Sequence, residues 1–195
     1  MAIRVIAGTA RGRRLKLVPG EGSRPVMDRV TEACFSKLGR RVTGSRFLDL
    51  FAGTGSVAIE ALSRGAAHAE LVEQDPRALR VIRENLQLAG VQERARVQRA
   101  DVLSWLRNDS LLPFDIIYVA PPQYLGLWSQ TLQQIEARSN WTHDDSIVVV
   151  QIDPTERQDI ELRRLAPFDE RRYGNTLLWY FLVRDETGRT GAGNI

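Results

Sequence analysis

Apolar positions fall into short runs along the chain, with two different periods. Residues 3–7 and 14–18 alternate apolar and polar side chains, which predicts two short strands. The turn-rich Gly8-Thr9-Ala10-Arg11-Gly12 lies between them, so the N-terminus reads as a hairpin-like appendage. Pro19-Gly20-Glu21-Gly22-Ser23 is a loop. From Asp28 to about Leu38 the period changes. Val30, Ala33, Cys34, Phe35 and Leu38 lie near helical spacing and give a helix one apolar face. Residues 39–45 break that pattern.

From Phe47 onward strands and helices alternate. A buried strand over 47–51 leads into Ala52-Gly53-Thr54-Gly55 and a helix over 56–64. A second strand covers 69–73. The next helix, 76–89, opens on Pro76 and stops at Gly90, the order that helix termini favour. A strand over 94–99 precedes Asp101 and a short helix through Trp105. A strand over 114–119 ends at Ala120-Pro121-Pro122, and 125–138 reads as a helix. Residues 146–152 are as rich in valine and isoleucine as a central parallel strand should be. Residues 168–173 and 176–183 flank Gly174-Asn175 and predict an antiparallel hairpin. Polar, glycine-rich 186–195 reads as a frayed tail. Strand–helix alternation implies a doubly wound α/β fold, Rossmann-like and mostly parallel, closed by an antiparallel hairpin. The expected organisation is a basic hairpin and helix over 1–45, a core over 46–185 and a tail over 186–195.

Composition narrows this picture. With 195 residues the chain fits one domain, or one domain with a small extension. No apolar run approaches a membrane span, and the first residues do not spell a signal peptide, so the cytoplasm is the expected location. One cysteine excludes an intrachain disulfide; with two histidines it cannot build an ordinary zinc site without several carboxylates, and no metal is expected. Cys34 reads as core; His68 and His143 receive no role. The net charge of +3 is modest, but its distribution is not even. Arg4, Arg11, Arg13, Arg14, Lys16 and Arg24 precede Pro25 with Glu21 as the one acid among them. Such an arm suits phosphate contacts; a solvated charged hairpin is the other reading, and the charges alone leave both standing.

The loop Asp49-Leu50-Phe51-Ala52-Gly53-Thr54-Gly55 falls at the carboxyl end of the first core strand, where open α/β sheets bind ligands. Its letters fit the loose dinucleotide pattern as well as S-adenosylmethionine. Three acids separate the two. Asp49 suits the methionyl ammonium of S-adenosylmethionine and would repel a pyrophosphate. Glu73 ends the second strand, where an acid grips ribose hydroxyls in either case. Asp101 follows the third strand and can accept from an adenine amino group, with the backbone N–H of Val102 reaching a ring nitrogen. Each acid alone reads as a cap or a surface charge; together they favour the methyl donor.

Val119-Ala120-Pro121-Pro122-Gln123-Tyr124, at the end of the fourth strand, resembles the motif of amino-methyltransferases, in which Asp, Asn or Ser precedes Pro-Pro and an aromatic. The chemistry calls for such a motif. An exocyclic base amine has its lone pair delocalised into the ring. Acceptors around its hydrogens draw them out of plane, the prolines fix a carbonyl, and the aromatic stacks on the base. Here Ala120 removes the side-chain acceptor, Gln123 takes the aromatic place and Tyr124 follows one later. Either Pro121, Gln123 and Tyr124 suffice, or the protein binds RNA and cofactor while transferring methyl groups weakly or not at all. A third reading is that Pro-Pro simply stops a strand.

With these motifs in place, the chain from about Arg4 to Val183 resembles the bacterial family of small-subunit ribosomal RNA methyltransferase D (RsmD). The resemblance is carried by Arg4-Val5-Ile6-Ala7-Gly8, by the segment Arg24-Pro25-Val26-Met27-Asp28-Arg29-Val30-Thr31-Glu32-Ala33-Cys34-Phe35, by Phe47 to Ser56 and by Arg172-Tyr173-Gly174-Asn175-Thr176. It implies methylation of the exocyclic N2 of a guanine in 16S ribosomal RNA. It implies S-adenosylmethionine held by Asp49, Phe51, Ala52, Gly53, Thr54 and Gly55 at the methionine part. Glu73 with Gln74 would take the ribose, Asp101 with Val102 the adenine. The segment 24–35, Arg29 included, would close over the methionine end, and Arg11, Arg13, Arg14, Lys16 and Arg24 would hold RNA in a 30S subunit or assembly intermediate. A monomer is expected. A guanine N2 is buried in a duplex, so the base must be unpaired or flipped. A NAD-dependent oxidoreductase is the competing enzyme, disfavoured by Asp49 and by the lack of a hydride-relay pair. A DNA adenine or a protein glutamine is the competing substrate, the latter disfavoured by the basic arm. Trp105, Trp128, Trp141 and Trp179 read as packing residues before base-stacking ones, with Trp128 the one to watch.

Overall fold

The computed structural model describes residues 3–20, 26–109 and 112–184. Arg24, the 19–23 loop beyond Gly20 and the tail from residue 186 lie outside them. The chain divides into two compact units, 1–102 and 103–195.

In the first unit, β3 (Arg46–Leu50), β4 (His68–Glu73) and β5 (Ala95–Arg99) run parallel in the order β5-β4-β3. Phe47, Leu48, Leu50, Leu71 and Val72 are fully buried, the signature of strands covered on both faces. β5 is the half-buried edge of this unit. Helix α2 (Ser56–Ser63) follows β3, and α3 (Pro76–Ala89) follows β4. The ends of α3 are written in the sequence. The Asp75 carboxylate accepts from the Arg77 amide at 2.8 Å, Pro76 opens the first turn, and Gly90 stops the helix at φ 70°. Helix α1 (Val26–Leu38) buries Val30, Cys34, Phe35 and Leu38, and a 3-10 turn over Gly39–Val42 ends it.

The N-terminal hairpin is present but shorter than its alternation predicts. β1 (Ile3–Arg4) and β2 (Arg14–Leu15) pair over two residues each. The Val5 amide still crosses to the Arg13 carbonyl at 3.0 Å, and pairing stops beyond it because the following amides are drawn elsewhere. Ile6 and Ala7 donate to the two oxygens of the buried Glu60 at 2.8 and 3.0 Å. Ser63 takes the Ala10 amide at 2.9 Å and donates to the Ala7 carbonyl at 2.5 Å. Gly8 has φ 81°, and a Cβ there would stand 1.9 Å from the Ser63 carbonyl oxygen, so only glycine lets the arm lie against α2.

In the second unit, β6 (Phe114–Val119) and β7 (Thr142–Ile152) are parallel; β9 (Thr176–Val183) and β8 (Leu165–Tyr173) complete the sheet antiparallel, in the order β6-β7-β9-β8. The expected hairpin closes between Tyr173 and Thr176 with Gly174 at φ 61°, and its second strand is the one that meets β7. β7 begins at Thr142, four residues before the expected start at 146. Thr142 pairs with Phe114, the register then slips, and Ser146 closes the irregularity by donating to the Phe114 carbonyl at 2.7 Å. Helix α4 (Val102–Trp105) precedes β6 and α5 (Leu127–Glu136) follows it. Glu136 fastens the start of β8 by accepting the amides of Arg163, Arg164 and Leu165 at 2.7–2.9 Å. Trp128, Trp141 and Trp179 are buried, with ring pairs Trp128–Trp179 at 5.8 Å and Trp105–Trp141 at 4.7 Å. No helix among the described residues is long and apolar enough to cross a membrane.

Candidate functional site

The turn after β3 is built by backbone bonds, one buried carboxylate and one half-buried one. The Ala52 amide donates to the Val72 carbonyl at 3.1 Å, and the Gly55 amide to the Ala52 carbonyl at 2.7 Å. Phe51 sits at φ 63°, a left-handed conformation that an aromatic residue adopts only where its surroundings enforce it. Gly55 heads α2 at φ 74°, and a Cβ there would press to 3.1 Å from Leu71. At Gly53 (φ 55°) a Cβ would meet nothing within 4 Å, so the backbone faces open space.

Glu73 joins this turn to the end of β4. One of its oxygens accepts the Gly53 amide at 2.9 Å, the other the amides of Gln74 and Asp75 at 2.7 and 2.8 Å. The Ala100 amide donates to the Glu73 carbonyl at 3.1 Å, tying in the end of β5 just before the exposed Asp101 and the buried Val102. Asp49, Glu73 and Asp101 thus stand at the carboxyl ends of three adjacent parallel strands. Asp49 is 2% exposed and accepts the Ala58 amide at 3.2 Å. Its carboxyl is raised to about 8: burial pushes it up, the Ala58 bond pulls it back in part, and the Glu73 charge adds to the rise.

A residue that sequence reasoning missed braces the loop. Asn85 of α3 is wholly buried, donates to the Thr54 carbonyl at 2.9 Å and to the Lys16 carbonyl at 3.0 Å, and accepts the Lys16 amide at 2.7 Å. One side chain therefore holds the glycine turn and the arm together. Its signal was available: an asparagine on the apolar face of α3, beside Val81, Ile82 and Leu86. Glu60, a charge inside the apolar run of α2, was a second such signal.

Arg11, Arg13, Arg14 and Lys16 are exposed along the arm. Arg29, expected at the cofactor, lines a cavity of about 460 Å³ between the arm and α1 with Arg4, Arg11, Asp28 and Glu32. Arg4 pairs with Asp28 there at 3.6 Å.

In the second unit, Ala120 and Gln123 are half-buried, Pro121 is buried and Pro122 exposed. Tyr124 has φ 64° and is 67% exposed; Leu125 beside it is 63% exposed. The Tyr124 amide donates to Glu156 Oε1 at 2.8 Å, and its hydroxyl donates to Asp153, which raises the phenol above its ordinary range. Thr155 donates to Asp153 from its amide and hydroxyl at 2.9 and 2.7 Å, which with Arg172 holds that carboxyl low. Asp153 and Glu156 were not foreseen, although Asp-Pro-Thr-Glu has the spacing of a capping box. His143, which lies in no partner motif, meets Asp115 at 3.0 Å. Among the described residues no group of His, Cys, Asp and Glu could hold a metal ion.

The profile of the family described as conserved hypothetical protein 95 matches residues 3–182. The ribosomal RNA small subunit methyltransferase D of Escherichia coli K12 is 36% identical over 149 residues, 76% of this chain and 74% of that protein. The solved structure of yhhF from Escherichia coli superposes with a TM-score of 0.83 at 31% identity, over 95% of this chain and all of that one. An RNA methyltransferase from Salinibacter ruber, solved with S-adenosyl-L-homocysteine, shares the fold at a TM-score of 0.61 and 18% identity, over 85% of this chain and 95% of that one. Parallel strands ending in acids around a glycine turn, with a closing antiparallel hairpin, define a Rossmann-like class I methyltransferase. Within that class the chain belongs to the ribosomal RNA small subunit methyltransferase D family.

Proposed function

We propose that the protein transfers the methyl group of S-adenosylmethionine directly to the exocyclic N2 of a guanine in 16S ribosomal RNA. The observation that carries this reading is the convergence of Asp49, Glu73 and Asp101 on the strand ends around Gly53 and Gly55. The residues fit the cofactor. Space is open over Gly53, and the buried Asp49 carboxyl, raised to about 8, lacks the positive charge that would keep it ionised at neutral pH. The cofactor's ammonium is such a charge. In this assignment Asp49 and residues 51–55 bind the methionine part, Glu73 and Gln74 the ribose, and Asp101 and Val102 the adenine. Arg29 closes the methionine end.

S-adenosylmethionine supplies an electrophilic methyl on a good leaving group, so no covalent enzyme intermediate is required. The chain's own work is positioning. The Pro121 carbonyl and the Gln123 side chain accept from the base amine and localise its lone pair, between Ala120 and Pro122, while Tyr124 stacks on the base. The arm, through Arg11, Arg13, Arg14, Lys16 and Arg24, binds phosphates. Residues 1–45 then serve as an RNA-holding extension of a core over 46–185. We place the activity in the cytoplasm, in a monomer acting on a 30S subunit or assembly intermediate.

The test is methyl transfer from radiolabelled S-adenosylmethionine to undermethylated 30S subunits, with nucleoside analysis of the RNA. Label in N2-methylguanosine is the expected result. Cofactor binding by calorimetry without label would favour the second reading, an RNA-binding or assembly factor of weak activity, for which Ala120 is the motive. No cofactor binding would reopen the dinucleotide alternative.

A further inference from the structure

The segment after β6 departs from the amino-methyltransferase pattern at Ala120 and Gln123, and the structure places an unassigned pair of carboxylates against Tyr124, which follows the second of them. Tyr124 carries the aromatic ring one residue later than the pattern, and its backbone is left-handed at φ 64°. A tyrosine is not held there by its own preferences. The 3-10 turn Pro154–Glu156, just past β7, holds it at both ends. Glu156 Oε1 takes its amide at 2.8 Å, and Asp153 takes its hydroxyl. Asp153 is itself fixed by the Thr155 amide and hydroxyl. Next in sequence, Arg157 lies 4.6 Å over the Trp179 ring and pairs with Glu170 at 3.4 Å, which anchors the turn to β8 and β9. The second oxygen of Glu156 is buried without a hydrogen-bond partner. A buried acceptor left unpaired is costly, so satisfying itself is not what sets this carboxylate's position. Gripped at amide and hydroxyl, the Tyr124 side chain is still 67% exposed, with Leu125 extending the apolar surface.

We infer that Asp153 and Glu156 are positioning residues that hold Tyr124 as a pre-formed stacking platform for the target base. The inference rests on the reading of 120–124 as the base-receiving segment. Glu156 acts through the Tyr124 amide and Asp153 through its hydroxyl; neither touches the reacting atoms. Because the platform is fixed before the base arrives, stacking costs no ordering of the ring.

Two readouts test it on the full chain, with thermal unfolding run on every variant. The first is quenching of 2-aminopurine placed at the target position of a short single-stranded RNA, which reports stacking without any methyl transfer. The second is the KM for RNA against kcat. Glu156→Ala is expected to abolish most of the quenching and raise the KM for RNA about tenfold, leaving cofactor affinity unchanged. Glu156→Gln keeps an oxygen for the Tyr124 amide and should stay within about twofold of the parent. Tyr124→Phe, which loses only the hydroxyl anchor, should fall between them. In a Tyr124→Ala background, Glu156→Ala should add nothing. Parent-like quenching in Glu156→Ala, or a full additional loss on top of Tyr124→Ala, would overturn the inference. A parent protein that quenches 2-aminopurine in a Glu156-dependent way but methylates no RNA would sink the proposed activity and leave the positioning roles standing.

Discussion

The turn at 49–55 and the segment at 120–125 both follow a parallel strand, yet they are held in opposite ways. In the first, backbone groups are engaged by two buried side chains and one half-buried one: Asn85 donates to the Thr54 carbonyl, Asp49 accepts the Ala58 amide, and the half-buried Glu73 accepts the Gly53 amide. In the second, the Tyr124 ring that would stack on a base stands in solvent beside a half-buried Gln123, and one short turn fixes that strained tyrosine. The loop assigned to the cofactor must present one fixed geometry, and buried polar bonds enforce it because leaving any of them unmade is costly. If 120–124 receives the base as proposed, departures such as Ala120 and Gln123 are compatible with that role, since an exposed platform can be supported from a neighbouring turn.

The largest expected effect tests the buried side of this contrast. Asp49→Ala should weaken S-adenosylmethionine binding by at least about 100-fold, since it removes one partner of a desolvated charge pair. Calorimetry checks it, and unchanged affinity would remove Asp49 from the site. The same carboxyl makes a stability prediction without cofactor. Its folded pKa, raised to about 8, lies above the ordinary value of 3.8, so the folded chain keeps a proton that the unfolded chain releases. Stability from this group is therefore greatest below about pH 4, falls as pH rises from about 4 to about 8, and is level above that. Asp49→Asn should remove this slope and raise the melting temperature at pH 8; an unaltered pH profile would show that Asp49 is not the group responsible.

Next comes Asn85→Ala, which strands the Lys16 amide and the Lys16 and Thr54 carbonyls. A loss of about 2–4 kcal/mol in urea unfolding is expected, together with weaker cofactor binding. If stability falls while cofactor affinity does not, Asn85 braces the arm alone.

How much of this was legible differs between the regions for the same reason. The strand–helix alternation, the Asp75-Pro76 start and Gly90 stop of α3, the glycine turn and the 173–176 hairpin all follow from local chemistry, and the structure has them. Asp49, Glu73 and Asp101 could be singled out because each lies at, or within two residues of, the carboxyl end of a strand. The bonds that Asn85, Glu60 and Glu156 make are different. They join positions 31 to 69 residues apart, and no local pattern says where a buried polar side chain will find its partner. The short ladder of β1 and β2 has the same origin, since Glu60 competes for amides that the alternation had assigned to strand pairing.

A smaller effect is expected on the arm. Replacing Arg11, Arg13 and Arg14 together by alanine should weaken RNA binding about tenfold near physiological salt and flatten the dependence of log K on log salt by about 0.7 for each phosphate no longer neutralised. Cofactor affinity should not change, since these side chains point into solvent while the arm's backbone makes the bonds to α2 and Asn85. An unaltered slope would make the arm a solvated surface and move RNA recognition elsewhere.

The smallest effect concerns Ala120, where the contrast can be sharpened. If the segment is supported from the 153–156 turn, the acceptor missing at 120 is a lost refinement and the platform stands without it. Ala120→Asn should then raise the single-turnover rate about fivefold, the worth of one net hydrogen bond to the base amine, with the KM for RNA and the affinity for cofactor unchanged. Ala120 is half-buried, so part of its surface already meets solvent. A rise of several hundredfold would mean that the parent segment is nearly inert and that binding is the protein's main work. A loss of activity would mean that Gln123 already occupies the place an acceptor at 120 would use, and that the two departures from the pattern are one compensated change.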